Sequence, residues 1–149
     1  MIEPATLQDL IARWWWNYDQ GNFDVLASLL TEDMRFSCRT DTGTTDFEDF
    51  VRVEVSGRDA VMAWQTDHRI NSPYPLRHNG TDVHIVEARG ADAAAFASYI
   101  FVTQIVDGKV SNLSSAIVTG EVRIEAGGLR IAQLEVVLDT MNSVLFSER

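Results

Sequence analysis

The chain is short of cysteine, proline and positive charge. Its single cysteine, Cys38, excludes an internal disulfide framework and a cysteine-based zinc cluster. A reducing, cytoplasmic location is the expectation for so cysteine-poor a sequence. Only 12 Lys and Arg stand against 22 Asp and Glu, a net charge of −10 with a pI near 4.6. Such a surface repels phosphate backbones and anionic lipid, so neither nucleic acid nor a membrane is expected as a partner. No apolar run approaches the ~20 residues of a membrane-spanning helix. The opening MIEPATLQDL lacks the basic stretch and apolar run of a secretory signal. Glycine-rich phosphate loops, GxSxG and HExxH are all missing, and Gly127-Gly128 reads as a turn. His68 and His84 stand near Asp67, Asp82 and Glu87 without metal-ligand spacing, so they read as solvated, and neither a metal nor a cofactor is expected.

What is present describes one ordinary globular domain spanning 1–149, with 46% hydrophobic residues, no repeat and no boundary. Leu7, Leu10, Ile11, Trp14, Trp15 and Tyr18 recur at three- and four-residue spacing, which predicts one apolar helix face. Pro4 suits its first turn and Gly21 a left-handed stop. A short second helix carries Phe23, Leu26, Ala27 and Leu30 on one side, with Asn22 as its cap. Thr31-Glu32-Asp33 then turns the chain into the strand MRFSCR. Thr40 to Asp49 reads as an exposed polar loop and VRVEV as a strand. Ser56 with Asp59 resembles a capping box opening a third helix that buries Ala60, Val61 and Trp64. NSPYP ends that helix.

The second half is β-rich: TDVHIVEA, AAAFASYIFVTQIV, KVSNLSSAIVTGEVRI and LRIAQLEVVL. Asp107-Gly108 is a strong hairpin signal, and Ala126-Gly127-Gly128 marks another turn. Helices first and strands later is an α+β order. Both long central strands are apolar on both faces. That suggests a curved antiparallel sheet holding helices and a cavity on its concave side and a second subunit on its convex side.

Within WWWNYDQGNFDVLASLL, Asp19 stands at the foot of three tryptophans and a tyrosine. Trp15 and Ile11 precede it by four and eight residues, so it borders the buried face. Either it is a solvated helix-end charge or it has a partner beside a pocket.

The order helix–helix–strand–helix–strands, with Tyr18-Asp19 before GNFDVLASLLTEDMRF and with LRHNGTDVHI around His78, resembles the SnoaL-like and scytalone dehydratase-like members of the nuclear transport factor 2-like (NTF2-like) superfamily. The resemblance covers nearly the whole chain as architecture. It implies an α+β cone in which three N-terminal helices pack into the concave face of a strongly curved, mostly antiparallel sheet. It further implies that Asp19 orients His78 as a general base, with Tyr18 able to donate to a developing oxyanion. In this sequence Cys38 stands where the dehydratase has a second tyrosine. Gln104 falls near its second histidine and Ile117 near its asparagine, while Ser115 is retained. Scytalone itself is therefore not the expected substrate.

Counting back from the Asp107-Gly108 turn pairs Val106 with Lys109, Val102 with Leu113, Ile100 with Ser115 and Ser98 with Ile117. With Ser115 inward, as the resemblance implies, the pocket wall carries Ser98, Ile100, Val102 and Gln104, faced by Leu113, Ile117 and Thr119. Trp15 and Trp64 either close the pocket mouth or belong to the core. The expected function is proton abstraction by a His–Asp dyad in an apolar pocket, a dehydratase- or isomerase-type reaction on a small oxygenated ligand, apolar or aromatic. Hydrolysis or cyclisation is the rival chemistry. The rival of another class is a non-catalytic ligand-binding or structural subunit, such as a relative of ring-hydroxylating dioxygenase small subunits. A homodimer or higher homo-oligomer is expected.

Overall fold

The structure, a computed structural model, describes residues 1–149. Helix α1 runs over Pro4–Gln20, and all six residues of its apolar stripe are buried. Gly21 ends it at φ 70°, a left-handed cap that a side chain would strain, and its N–H returns to Tyr18 O. Helix α2 (Phe23–Ser28) follows, with Asn22 preceding it without a side-chain capping bond. Leu30 belongs to the next strand rather than to α2, because β1 already begins there and runs to Thr40.

The segment expected to be an exposed loop contains a one-turn helix, α3 (Glu48–Val51). The Glu48 carboxylate is drawn inward by the Thr40 hydroxyl, which folds the segment back over β1. The strand expected over VRVEV is correspondingly shortened to β2, Val53–Ser56. Helix α4 spans Arg58–Ile70 with Gly57 before its first turn and no side-chain cap, so the capping box does not form. It buries Val61 and half-buries Trp64, but Ala60 is exposed on its outer side.

Four long strands complete the chain: β3 (Leu76–Ala88), β4 (Ala93–Val106), β5 (Lys109–Glu125) and β6 (Gly128–Leu138). The six strands form one sheet in the order β2-β1-β6-β5-β4-β3, and only β1 with β6 is parallel. Asp107 and Gly108 turn the β4–β5 hairpin with φ of 50° and 72°, the positive pair that a two-residue hairpin turn needs. Bulges interrupt β3–β4, β4–β5 and β5–β6 pairing and bend the sheet. Its inner face packs on the helices through a core that includes Trp14, Met34, Phe96 and Leu134. At the base of that core, Gly120 lets Phe96 and the Gln133 backbone approach closely. No helix is long and apolar enough to cross a membrane.

The β4–β5 bulge corrects the predicted register. Val106 does face Lys109, but Leu113 is the extra residue, so Val102 faces Ser114, Ile100 faces Ala116 and Ser98 faces Val118. One inserted residue exchanges the two faces of β5. Ser114, Ala116 and Val118 therefore point inward, whereas Ser115, Ile117 and Thr119 point outward. Ser115 bonds Asp139 on that outer side.

Candidate active site

Asp19 lies in the last turn of α1, facing the start of β3. Its carboxylate takes two bonds from one residue: the His78 main-chain N–H donates to Oδ2 at 2.8 Å, and His78 Nδ1 lies 2.6 Å from Oδ1. A carboxylate only accepts, so Nδ1 carries a proton, and in the neutral ring Nε2 holds the lone pair. The side chains are 6% and 13% exposed respectively, which makes the pairing a condition of burying the charge. Trp15 lies flat against the His78 ring, with centroids 4.9 Å apart and planes 4° from parallel. Gly80 gives the indole room, since a Cβ there would sit 3.2 Å from its Cδ1. Tyr18 meets the imidazole edge-on, with centroids 5.2 Å apart. The ring is thus held by a carboxylate and by two aromatic neighbours.

Arg69, buried on α4, completes the support. Its Nε and Nη2 donate to the Asp19 carbonyl at 3.1 and 2.9 Å, and Nη1 donates to Pro73 O at 3.0 Å. The guanidinium thereby satisfies an otherwise open carbonyl at the end of α1 and ties α1 to the segment leading into β3.

His78 Nε2 has no protein partner, and the residue lines a cavity of about 370 Å³ between the helices and the sheet. Of the predicted site residues, Trp15, Tyr18, Cys38, Trp64, Ile100, Val102, Gln104 and Leu113 share this wall with His78. Asp19 stands behind His78 and out of the cavity, bordering a surface groove between α1 and β3. Ser115 and Ile117, placed in the wall by the unbulged register, are on the opposite face of the sheet, and Ser114 takes that position instead.

Fourteen of the 21 wall residues are hydrophobic, and the wall contains no lysine, arginine, aspartate or glutamate. Burial pushes the Cys38 thiol up to about 12, with Glu48 adding to the shift, so it stays protonated. Burial also pushes the Tyr18 phenol well above its ordinary range. Both are therefore neutral hydrogen-bonding groups in an apolar surround. No three His, Cys, Asp or Glu side chains converge as a metal site.

The sequence reading missed His68. It is not solvated: its ring stacks on Trp64 with centroids 4.5 Å apart, and its Nδ1 lies 2.6 Å from the Tyr18 hydroxyl. Burial, followed by the nearby His78, pushes it down to about 4, so it is neutral at physiological pH. The signal was available in the spacing Val61, Trp64, Gln65, His68, Arg69, a continuation of the α4 inner stripe through polar residues. Phe47, Phe50 and Val51 were missed for another reason, since the segment that brings them to the cavity mouth lies outside any periodic pattern.

A helical layer inside a curved sheet, with an Asp–His pair at an apolar cavity, defines an α+β cone of the NTF2-like class. A model of the SnoaL-like domain matches residues 3–135, and the chain belongs to that family. Among solved structures, an NTF2-like protein with a cystatin-like fold from Novosphingobium aromaticivorans is 21% identical with a TM-score of 0.72, over 90% of this chain and 80% of that one. A candidate scytalone dehydratase from the same species is 14% identical with a TM-score of 0.71, over 92% and 83%. The β subunit of a candidate aromatic-ring-hydroxylating dioxygenase, also from that species, is 12% identical with a TM-score of 0.74, over 96% and 93%. At such identities the likeness is one of fold. No curated protein matches the sequence.

Proposed function

We propose that this protein is a cofactor-independent lyase or isomerase, in which His78 removes a proton from a small apolar or aromatic, oxygenated substrate held in the cavity. The observation that carries the reading is the 2.6 Å Asp19–His78 pair, with Nε2 unpartnered and His78 in the cavity wall. Abstraction of a proton next to a carbonyl or leaving group makes an imidazolium. The Asp19 carboxylate stabilises that cation, and the face of Trp15 adds a cation–π contribution. Tyr18 stands where it can donate to the oxygen on which charge develops. The absence of fixed charge from the wall supports a neutral substrate over an anionic one, because an anion would be desolvated there without a countercharge. On the same reading the chain works as a homodimer through the outer face of its sheet.

The test is Asp19→Asn. The amide keeps the shape, but its single oxygen can accept from only one of the two His78 donors, its NH2 favours the other ring tautomer, and it provides no charge to stabilise an imidazolium. Turnover of a responsive elimination or isomerisation substrate is expected to fall by about 10²–10⁴-fold, with the unfolding midpoint nearly unchanged. Turnover that survives the substitution sinks the dyad mechanism.

A second reading, a non-catalytic subunit for a larger partner, draws on the fold shared with the dioxygenase β subunit at a TM-score of 0.74. It requires a stable complex with a larger chain when the protein is purified from its source cells. A self-contained dimer argues against it.

A further inference from the structure

We infer that His68 is a positioning residue that turns the Tyr18 hydroxyl proton into the cavity, so that the site favours ligands presenting an acceptor oxygen there. The inference deepens the reading above and rests on it. Tyr18 Oη and His68 Nδ1 are 2.6 Å apart, so one proton lies between them. Two arrangements are open. If Tyr18 donates, Nδ1 is bare and the proton of the neutral imidazole sits on Nε2. If His68 donates from Nδ1, Nε2 is bare and the phenol proton is released for another acceptor.

The surroundings of Nε2 choose between them. That nitrogen is fully buried and has no hydrogen-bond partner. A buried N–H with nothing to donate to is among the rarest of orphan groups, whereas an unused lone pair is tolerated more often. The ring cannot swing to relieve either state, because Trp64 lies on it at 4.5 Å and 17° while Phe50 lies 4.5 Å away at 30°. The Nδ1–H tautomer is therefore favoured, and it donates to Tyr18.

Apart from His68, the phenol is felt by the Ser72 hydroxyl, which gives its own proton to His68 O and makes no well-formed hydrogen bond to Tyr18. The phenol borders the cavity beside His78. Base and donor then act from neighbouring positions: His78 Nε2 takes a proton while the Tyr18 O–H faces the oxygen that gains charge. On this inference His68 acts through Tyr18 and not on the substrate itself. It keeps the phenol from spending its proton on the protein.

The protein has three histidines, so their ring nitrogens can be assigned with ¹⁵N-labelled histidine and the variants His84→Gln and His68→Gln. A two-bond ¹H–¹⁵N correlation on the wild-type chain at pH 7 is expected to show His68 protonated on Nδ1 and bare on Nε2. Protonation on Nε2 alone, or on both nitrogens, overturns the inference. The spectrum requires no turnover, so it reads out even if the protein proves inert toward elimination substrates.

The second measurement uses acetophenone as a neutral carbonyl probe, followed in the infrared. Its C=O band should move to lower wavenumber with the wild-type protein and return to the free position with Tyr18→Phe. His68→Leu, which removes the donor and lets the phenol turn its proton to the Ser72 hydroxyl, should also release the band and weaken probe binding about two- to tenfold, while His68→Gln, whose amide can donate in place of Nδ1–H, should restore it. A lowered band that persists in His68→Leu overturns the inference, and so does a band that never moves in the wild type.

Discussion

Asp19 occupies the last turn of α1, where peptide dipoles already present their negative end. A carboxylate there is doubly unfavourable, first by position and then by burial. It is accommodated because His78 donates to both of its oxygens and Arg69 donates to its own carbonyl. A residue that the fold must compensate in this way is better explained by chemistry than by packing, which an apolar residue would serve at less cost. His68 makes a different residue-scale prediction. Its folded value of about 4 lies below its ordinary 6.5. Between those values the unfolded chain binds a proton that the folded chain refuses, so stability falls as pH drops from 6.5 towards 4. Denaturant midpoints measured across that window should decline less steeply in His68→Phe than in the wild type. Equal slopes would show that the ring titrates normally.

At the scale of elements, the β4–β5–β6 region holds the inner wall in place, and at Gly120 there is no space for a side chain. A methyl group there would overlap the Gln133 carbonyl on β6 and lie 2.7 Å from Phe96 Cε1 on β4. Neither neighbour has room to retreat, since one is backbone and the other a ring fixed in the core. Gly120→Ala should cost about 1–3 kcal/mol or more, read as a lower urea midpoint with an unchanged slope. Gly90 is the internal control. It lies in a β-turn-like connection with nothing near its Cβ position, but its φ of 80° means that any cost of Gly90→Ala is conformational and not steric.

For the whole molecule, the outer sheet face carries exposed apolar side chains that the proposed dimer would cover. Tyr99 is 56% exposed and Ile117 47% exposed, and the two pair directly across β4 and β5. Phe101 extends the patch. Sedimentation velocity at micromolar concentration should give a dimer for the wild type and a monomer for the double variant Tyr99→Glu, Ile117→Glu. A monomeric wild type would remove the dimer from the reading and leave the cavity unaffected, because the patch is on the opposite face of the sheet.

Local physics made much of this legible beforehand. The α1 stripe, the Gly21 stop and the Asp107-Gly108 turn follow from helical period and from which residues tolerate positive φ, and neither depends on distant neighbours. The Tyr18–Asp19 and His78 positions were legible through resemblance to a family, not through spacing, because 59 residues separate Asp19 from His78. The α3 turn over the cavity mouth, the inward face of β5 and the partnership of Tyr18 with His68 were decided only by tertiary structure. A bulge at Leu113 answers to the curvature of the whole sheet, and one extra residue there reverses every side chain beyond it. The sequence by itself determined the α1 stripe, the β-rich second half and the stops at Gly21 and Asp107-Gly108. Only packing decided which of their faces met, and with them which hydroxyl, thiol and imidazole share one cavity.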